Sequence, residues 1–191
     1  METGKSNSRE AILETAIRLF SKQGYHGTGL NQILKESGAP KGSLYYYFPN
    51  GKEELALECI KLIRRDMISH LLELKVKHSD PVDFMRTFVL NLADTIDTSL
   101  SECIIPFGFW VSSETSAVSD TMRDACLDAF GMFKQTIAGK FAESGIAQER
   151  TDEIAELLIY LIEGAIIMTN VERQSRALRR VAENLPLIFR E

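Results

Sequence analysis

An all-α fold is what this sequence predicts, and three observations predict it. Proline occurs only five times in 191 residues. No segment sustains the alternation of apolar and polar residues that marks a half-buried strand. Apolar residues instead recur at three- and four-residue spacing between short breaks rich in Gly, Pro and Asp. With 45% hydrophobic and 26% charged residues the chain can build a real core, and long disorder is not expected. The division expected is a small helical head, residues 1–50, and a larger helical body, residues 51–191.

In the head, Ser8 is placed to cap a helix from Arg9 to about Gln23. Ile12, Ala16, Leu19 and Phe20 share one face of it, and Gly24 ends it. Thr28 can cap a second helix, Leu30 to Ser37, with Leu30, Ile33 and Leu34 inward and Gly38 at its end. Ala39-Pro40 makes the turn into a third short helix, about Lys41 to Phe48, and Pro49-Asn50-Gly51 is a further turn.

The body opens with a long helix, about Lys52 to Lys77, whose first turn carries Glu53 and Glu54. Asp80-Pro81 starts a helix to about Ser99 by the cap-then-proline signal. Residues 101–116, "SECIIPFGFWVSSETS", are apolar without a clear period and read as a broken helix or buried loop. Helices follow at about 119–143, 150–171 and 175–190.

Net charge is −5, but it is unevenly spread. Residues 1–52 hold seven Lys/Arg against four Glu, a net +3. The remainder holds fifteen against twenty-three Asp/Glu, a net −8. Affinity for phosphate follows the local field, so the basic head stays a candidate for nucleic acid. Two short helices joined by a tight turn, with a third packed across them, form a helix-turn-helix unit. In its last helix Leu44 and Phe48 share a face, so Tyr45 and Tyr46 must point away and Tyr47 falls at the edge. Adjacent exposed tyrosines call for a partner. A tyrosine offers a ring for sugar or a thymine methyl, and a hydroxyl for a phosphate oxygen. Lys41, Gly42 and Ser43 stand at the helix start, where recognition helices meet bases and where a phosphate is favoured. Thr28 and Lys52 are placed as phosphate clamps, and Lys5 and Arg9 as a basic arm.

Residues 9–58 resemble the N-terminal domain of the TetR family of bacterial transcriptional repressors. The likeness rests on Phe20, Gly24-Tyr25, Thr28, Gly38, the run Lys41-Gly42-Ser43-Leu44-Tyr45-Tyr46-Tyr47-Phe48, and Lys52-Glu53-Glu54-Leu55. The "FPNGKEEL" turn and the "IIPFGFWVSSET" stretch are similar to the branch responding to lincomycin-like antibiotics and flavonoids. The resemblance implies a homodimer that binds a double-stranded palindromic operator and is released by a small-molecule effector. It implies drug-efflux or detoxification genes as targets. Carried over position by position, the DNA contacts are Thr28, Lys41, Gly42, Ser43, Tyr45, Tyr46, Tyr47 and Lys52.

In the body, the run Ile154–Met168 is apolar over more than one stripe, which implies burial on two sides. One side would pack in its own subunit and the other meet a symmetry mate, as the resemblance implies for the last long helices, with Leu158, Leu161, Ile162 and Ala165 at that dimer interface. Phe107, Phe109, Trp110, Phe130, Phe133, Tyr160, Glu163 and Met168 are the expected effector contacts, since aromatic and methionine side chains with few polar groups suit a ligand cavity. Interrupted by Glu156 and Glu163, the same run is expected to be too short to span a bilayer, and no membrane partner is expected. No apolar leader follows the charged start, and three cysteines without CxxC spacing read as reduced thiols, so a cytoplasmic protein is expected. Three scattered histidines and the lack of nucleophile or phosphate-loop motifs point away from an enzyme, a metal or a cofactor. A helical adaptor, or an enzyme of unrecognised type, without DNA binding is the remaining alternative.

Overall fold

Glycine sets the first break. Gly24 has φ 77 and ψ 170, a conformation open to glycine alone, and it kinks the opening helix. The computed structural model describes residues 3–99, 114 and 119–189. Its helices are α1 Thr3–Gly27, α2 Leu30–Ser37, α3 Lys41–Tyr47, α4 Lys52–Lys77, α5 Pro81–Ser99, α6 Asp120–Glu143, α7 Gln148–Glu172 and α8 Arg176–Ile188. The described residues contain no strand, in agreement with the all-α expectation.

Two capping expectations are corrected. α1 begins at Thr3, so Ser8 lies inside it. No proline upstream of Ser8 stops the helix from propagating, and a capping residue marks where a helix can start, not where it must. α2 is preceded by Gly29 with no side-chain cap bond, because the Thr28 hydroxyl donates to the Gly24 carbonyl at 2.7 Å. The stop after α2 is as expected, with Gly38 in the left-handed region.

The described residues form two units. The first comprises those up to Arg64 with Glu114 and 119–129. The second comprises Arg65–Ser99 and Phe130–Phe189. In the first unit Ile12, Ala16 and Phe20 of α1, Ile33 of α2, and Leu44 and Phe48 around α3 enclose one core. Leu55, Ala56 and Cys59 of α4 and Met122 of α6 complete it. The division therefore does not fall at residue 50, because the opening turns of α4 bury their apolar face with α1–α3.

In the second unit α8 packs against α5 and α7. Phe84, Phe88, Phe133 and Phe141 fill the core, with Ile137 and Leu158 between them. α7 is long and apolar enough to cross a bilayer by length and composition, so the expectation of too short a run is corrected; Glu156 and Glu163 do not break the helix. Its inner face, Ile154, Leu158, Ile162, Ala165 and Thr169 among others, is buried in its own unit, as a core helix requires.

The start of α8 is held by a carboxylate from the end of α5. Asp97 accepts from the Ser175 hydroxyl at 2.6 Å, the Ser175 amide at 3.2 Å and Arg179 at 2.9 Å. Arg179 also pairs with Asp94 at 2.6 Å. The Ser175 hydroxyl first, and then Arg179, hold the Asp97 carboxyl below its ordinary range. A lowered folded value adds stability above the unfolded pKa of about 3.9, and that stability is lost as pH falls through the lowered value. Asp97→Ala should therefore cost about 1 kcal/mol at pH 7, modest because the clasp is partly solvated. In chemical unfolding the deficit should shrink as pH falls through the lowered value.

Candidate DNA interface and effector region

α3 is seven residues long and begins after Pro40, whose carbonyl accepts from the Ser43 amide at 2.9 Å. Leu44 and Phe48 are fully buried and anchor it. The same geometry turns Tyr45 and Tyr46 outward, 48% and 70% exposed. Tyr47 is half-buried, its ring edge-on to Tyr46 with centroids 5.0 Å apart. Lys41 and Gly42 are exposed and Ser43 half-buried at the same end. A Cβ added to Gly42 would meet nothing within 4 Å, so packing within the chain does not demand glycine there. The structure thus brings Lys41, Gly42, Ser43, Tyr45, Tyr46 and Tyr47 together on one short helix.

The other expected contacts are placed differently. Thr28 is buried at 1% exposure with its hydroxyl bonded to Gly24, so its side chain is not an open phosphate clamp. Lys52 is half-buried with its ammonium 4.4 Å from the centre of the Tyr25 ring, and burial holds its pKa down against the opposing field of Glu114. Arg9 is paired with Glu58 at 2.6 Å and lies over the Phe48 ring, so it braces α1 on α4 and is no free arm. Arg18 pairs with Glu36 at 2.6 Å and ties α1 to α2.

The expected effector residues do not assemble into one lining. Phe107, Phe109 and Trp110 lie outside the described residues. Phe133 is buried against Phe88, ring centroids 5.5 Å apart, and Phe130 packs half-buried on the same core. Tyr160 and Met168 are corrected as pocket residues: they are 63% and 45% exposed, and the Tyr160 hydroxyl donates to Glu156 on the next turn back. Glu163 is half-buried, and burial pushes its carboxyl above the ordinary range. Two open clefts, one lined by Asp97, Arg173 and Arg179 and the other by Asp80, Glu143 and Phe189, contain none of the expected residues.

Sequence reasoning missed one polar pair in this region. His70 of α4 and Asn91 of α5 meet at 3.2 Å, half-buried, with the His70 ring 6.1 Å from Phe88. Neither residue belongs to a motif, and only the packing of two helices brings them together.

Three of the four residues expected at a dimer interface are not available on the surface. Leu158, Ile162 and Ala165 are buried in their own unit, and of the four expected residues Leu161 alone is exposed, at 38%. The outward stripe of α7 is Leu157, Tyr160, Leu161, Gly164, Ile167, Met168 and Val171. One residue of sequence rotates a helix face by about 100°, which separates the two sets.

Comparison with known proteins agrees with this geometry. Residues 12–59 match the bacterial regulatory proteins of the tetR family, and residues 81–184 match the C-terminal domain of LmrA/YxaF-like transcriptional regulators. The helix-turn-helix-type transcriptional regulator YxaF of Bacillus subtilis is 41% identical over 190 residues, covering 99% of this chain and 98% of that protein. The regulator LmrA of the same organism is 36% identical over 180 residues, 94% and 95% of the two chains. The fold matches a TetR regulatory protein from Rhodobacter sphaeroides with a TM-score of 0.86 at 21% identity, over 96% of this chain and 99% of that one.

Glu163 gives this region a pH signature. A carboxyl raised by burial adds no penalty while protonated and destabilises the fold once ionised, so its cost appears as pH rises through the raised value. Glu163→Gln should stabilise the protein by about 1 kcal/mol at pH 8 in urea unfolding, with the gain vanishing near pH 4.

Proposed function

This chain belongs to the TetR family of bacterial regulatory proteins, and we propose from that premise that it is a dimeric repressor. It reads a palindromic operator and is released by a small aromatic or lipophilic effector. The observation that carries the reading is the outer face of α3. Tyr45 and Tyr46 are exposed beside Lys41 and an unobstructed Gly42, at the end of a helix-turn-helix where bases are read.

A monomer presents one such helix, whereas a two-fold site needs two, about 34–36 Å apart or a multiple of that. The outward stripe of α7 supplies a self-complementary surface for a second copy. Six apolar or aromatic side chains with a glycine in the middle favour close helix packing. A Cβ at Gly164 meets nothing within 4 Å in the single chain.

The effector acts by favouring a spacing of the two α4 helices that misfits successive major grooves. The coupling required is modest, about 1–3 kcal/mol in typical allosteric systems. Aromatic residues around the second unit, Phe88, Phe130 and Phe133, favour a planar or lipophilic compound, and the His70–Asn91 pair offers it polar contacts. Genes that export or detoxify that compound are the fitting targets, because release then answers the signal that caused it.

Two experiments test the reading. The first measures binding to the chain's own upstream DNA at two salt concentrations, with and without flavonoids and lincosamides. Lys41→Ala should weaken binding to all sequences and lower the salt slope by about one, as loss of a phosphate contact requires. Tyr46→Ala should cost about 1–3 kcal/mol at the operator and relax its discrimination between bases. Unchanged affinity and slope in both variants would remove α3 as the reader. In the second experiment, Leu161→Arg places a charge in the proposed interface. Light scattering should then show the mass falling from twice 21.5 kDa to 21.5 kDa, with operator affinity lost in parallel.

A further inference from the structure

We propose that Glu114 is a positioning residue for DNA binding, one that sets the turn leading into α2 and α3 without itself touching DNA. The inference rests on the reading of this chain as a DNA-binding regulator and adds to it a residue outside the helix-turn-helix.

The turn at Gly24 is built to receive a carboxylate. The amides of Tyr25 and His26 both donate to one Glu114 oxygen, at 2.8 and 3.3 Å. A Cβ at Gly24 would crowd the other Glu114 oxygen, so any side chain there would displace the carboxylate from its present seat. Gly24 also holds φ 77 and ψ 170, so the chain turns there for a second, independent reason. Donation by two backbone amides to an ionised acceptor gives the stronger class of hydrogen bond.

What the carboxylate holds is connected to the reading helices. The Gly24 carbonyl accepts from the Thr28 hydroxyl at 2.7 Å, and α2 begins two residues later at Leu30. The Tyr25 ring lies 5.7 Å from Phe20 of α1 and beneath the Lys52 ammonium at the start of α4. The turn therefore fixes α2 with respect to both α1 and α4. An error of an ångström in α3 is enough to break bidentate or stacked contacts to bases.

Charge and position make opposite forecasts for Glu114, which is what makes the proposal testable. Its carboxylate acts electrostatically on Lys52. If charge were all that mattered, removing it would raise the local potential and tighten binding to phosphates. If it positions the turn, removing it weakens binding although a repulsive charge has gone.

The experiment uses the full-length protein and a duplex selected by the wild type from a random-sequence pool. Affinity is read by fluorescence anisotropy at two salt concentrations, well below the melting temperature. Glu114→Ala should weaken binding about tenfold. Glu114→Gln, which keeps an acceptor oxygen and removes the charge, should weaken it less, about threefold. The salt slope of both should stay that of the wild type, because no phosphate contact is lost. Hydrogen exchange at Tyr25 and His26 should speed up in Glu114→Ala. Unchanged or tighter binding by Glu114→Ala overturns the proposal, as does unaltered exchange at those two amides. A Glu114→Ala chain that fails to fold leaves the isosteric Glu114→Gln to decide, with unchanged or tighter binding again overturning it. A wild type that selects no duplex at all overturns the proposal together with the DNA-binding reading, a failure distinct from the others.

Discussion

Burial of Leu44 and Phe48 in the core of the first unit is the constraint on which the candidate DNA interface depends. α3 has seven residues, far fewer than the 12–15 a helix needs to be even marginal in water. It exists because two residues four apart drop fully into a core made by α1, α2 and the opening of α4. Once these two are fixed, helix geometry leaves Tyr45 and Tyr46 no inward direction. The exposure of two large aromatic side chains is thus the other side of the anchoring and not a packing fault. The Arg9–Glu58 and Arg18–Glu36 pairs then brace the helices that hold this anchor.

Two glycines fit the partners proposed for this chain. Glycine in a helix interior costs about 1 kcal/mol relative to alanine. At Gly164, inside α7, nothing within 4 Å of an added Cβ explains that cost, and the space at Gly42, in the first turn of α3, is equally open. Both positions lie on surfaces with exposed aromatic or apolar neighbours, Tyr45 and Tyr46 in one case and Leu157, Tyr160, Leu161 and Met168 in the other. Gly24 is the contrast, since there the obstruction is internal and is the Glu114 carboxylate. The comparison separates a glycine kept for a fold contact from glycines that fit an approach from outside.

Local signals made much of the fold legible. Leu30–Ser37, Lys52–Lys77 and the Asp80-Pro81 start stand where the sequence predicts them, because caps, glycines and proline act within a few residues. The anchoring of α3 was legible for the same reason, being a matter of spacing along seven residues. The cap assigned to Thr28 failed because its hydroxyl found a backbone carbonyl four residues back, a competing local bond that composition does not rank. The phase of α7 failed because the helix is apolar on both sides. Periodicity then identifies a two-sided helix without saying which side meets its own unit. Glu114 and the His70–Asn91 pair were not legible at all, since their partners lie 89 and 21 residues away in sequence and no motif links them.

The basic head looks different once its pairs are counted by place and not by sign. Arg9 and Arg18 are taken by carboxylates, and Lys52 lies half-buried on an aromatic ring under the field of Glu114. Lys22, Lys35 and Lys41 remain exposed on α1, α2 and the start of α3. The two arginines, whose planar forks suit structural pairing, hold the helices together, while these three lysines, compact and strongly hydrated, stay in water. A cation already neutralised by a carboxylate releases few counterions on meeting DNA, so on the proposed reading the electrostatic part of binding falls to these lysines. On the proposed reading, discrimination between sequences falls on α3, which presents a ring, a hydroxyl and an open glycine backbone on one exposed face.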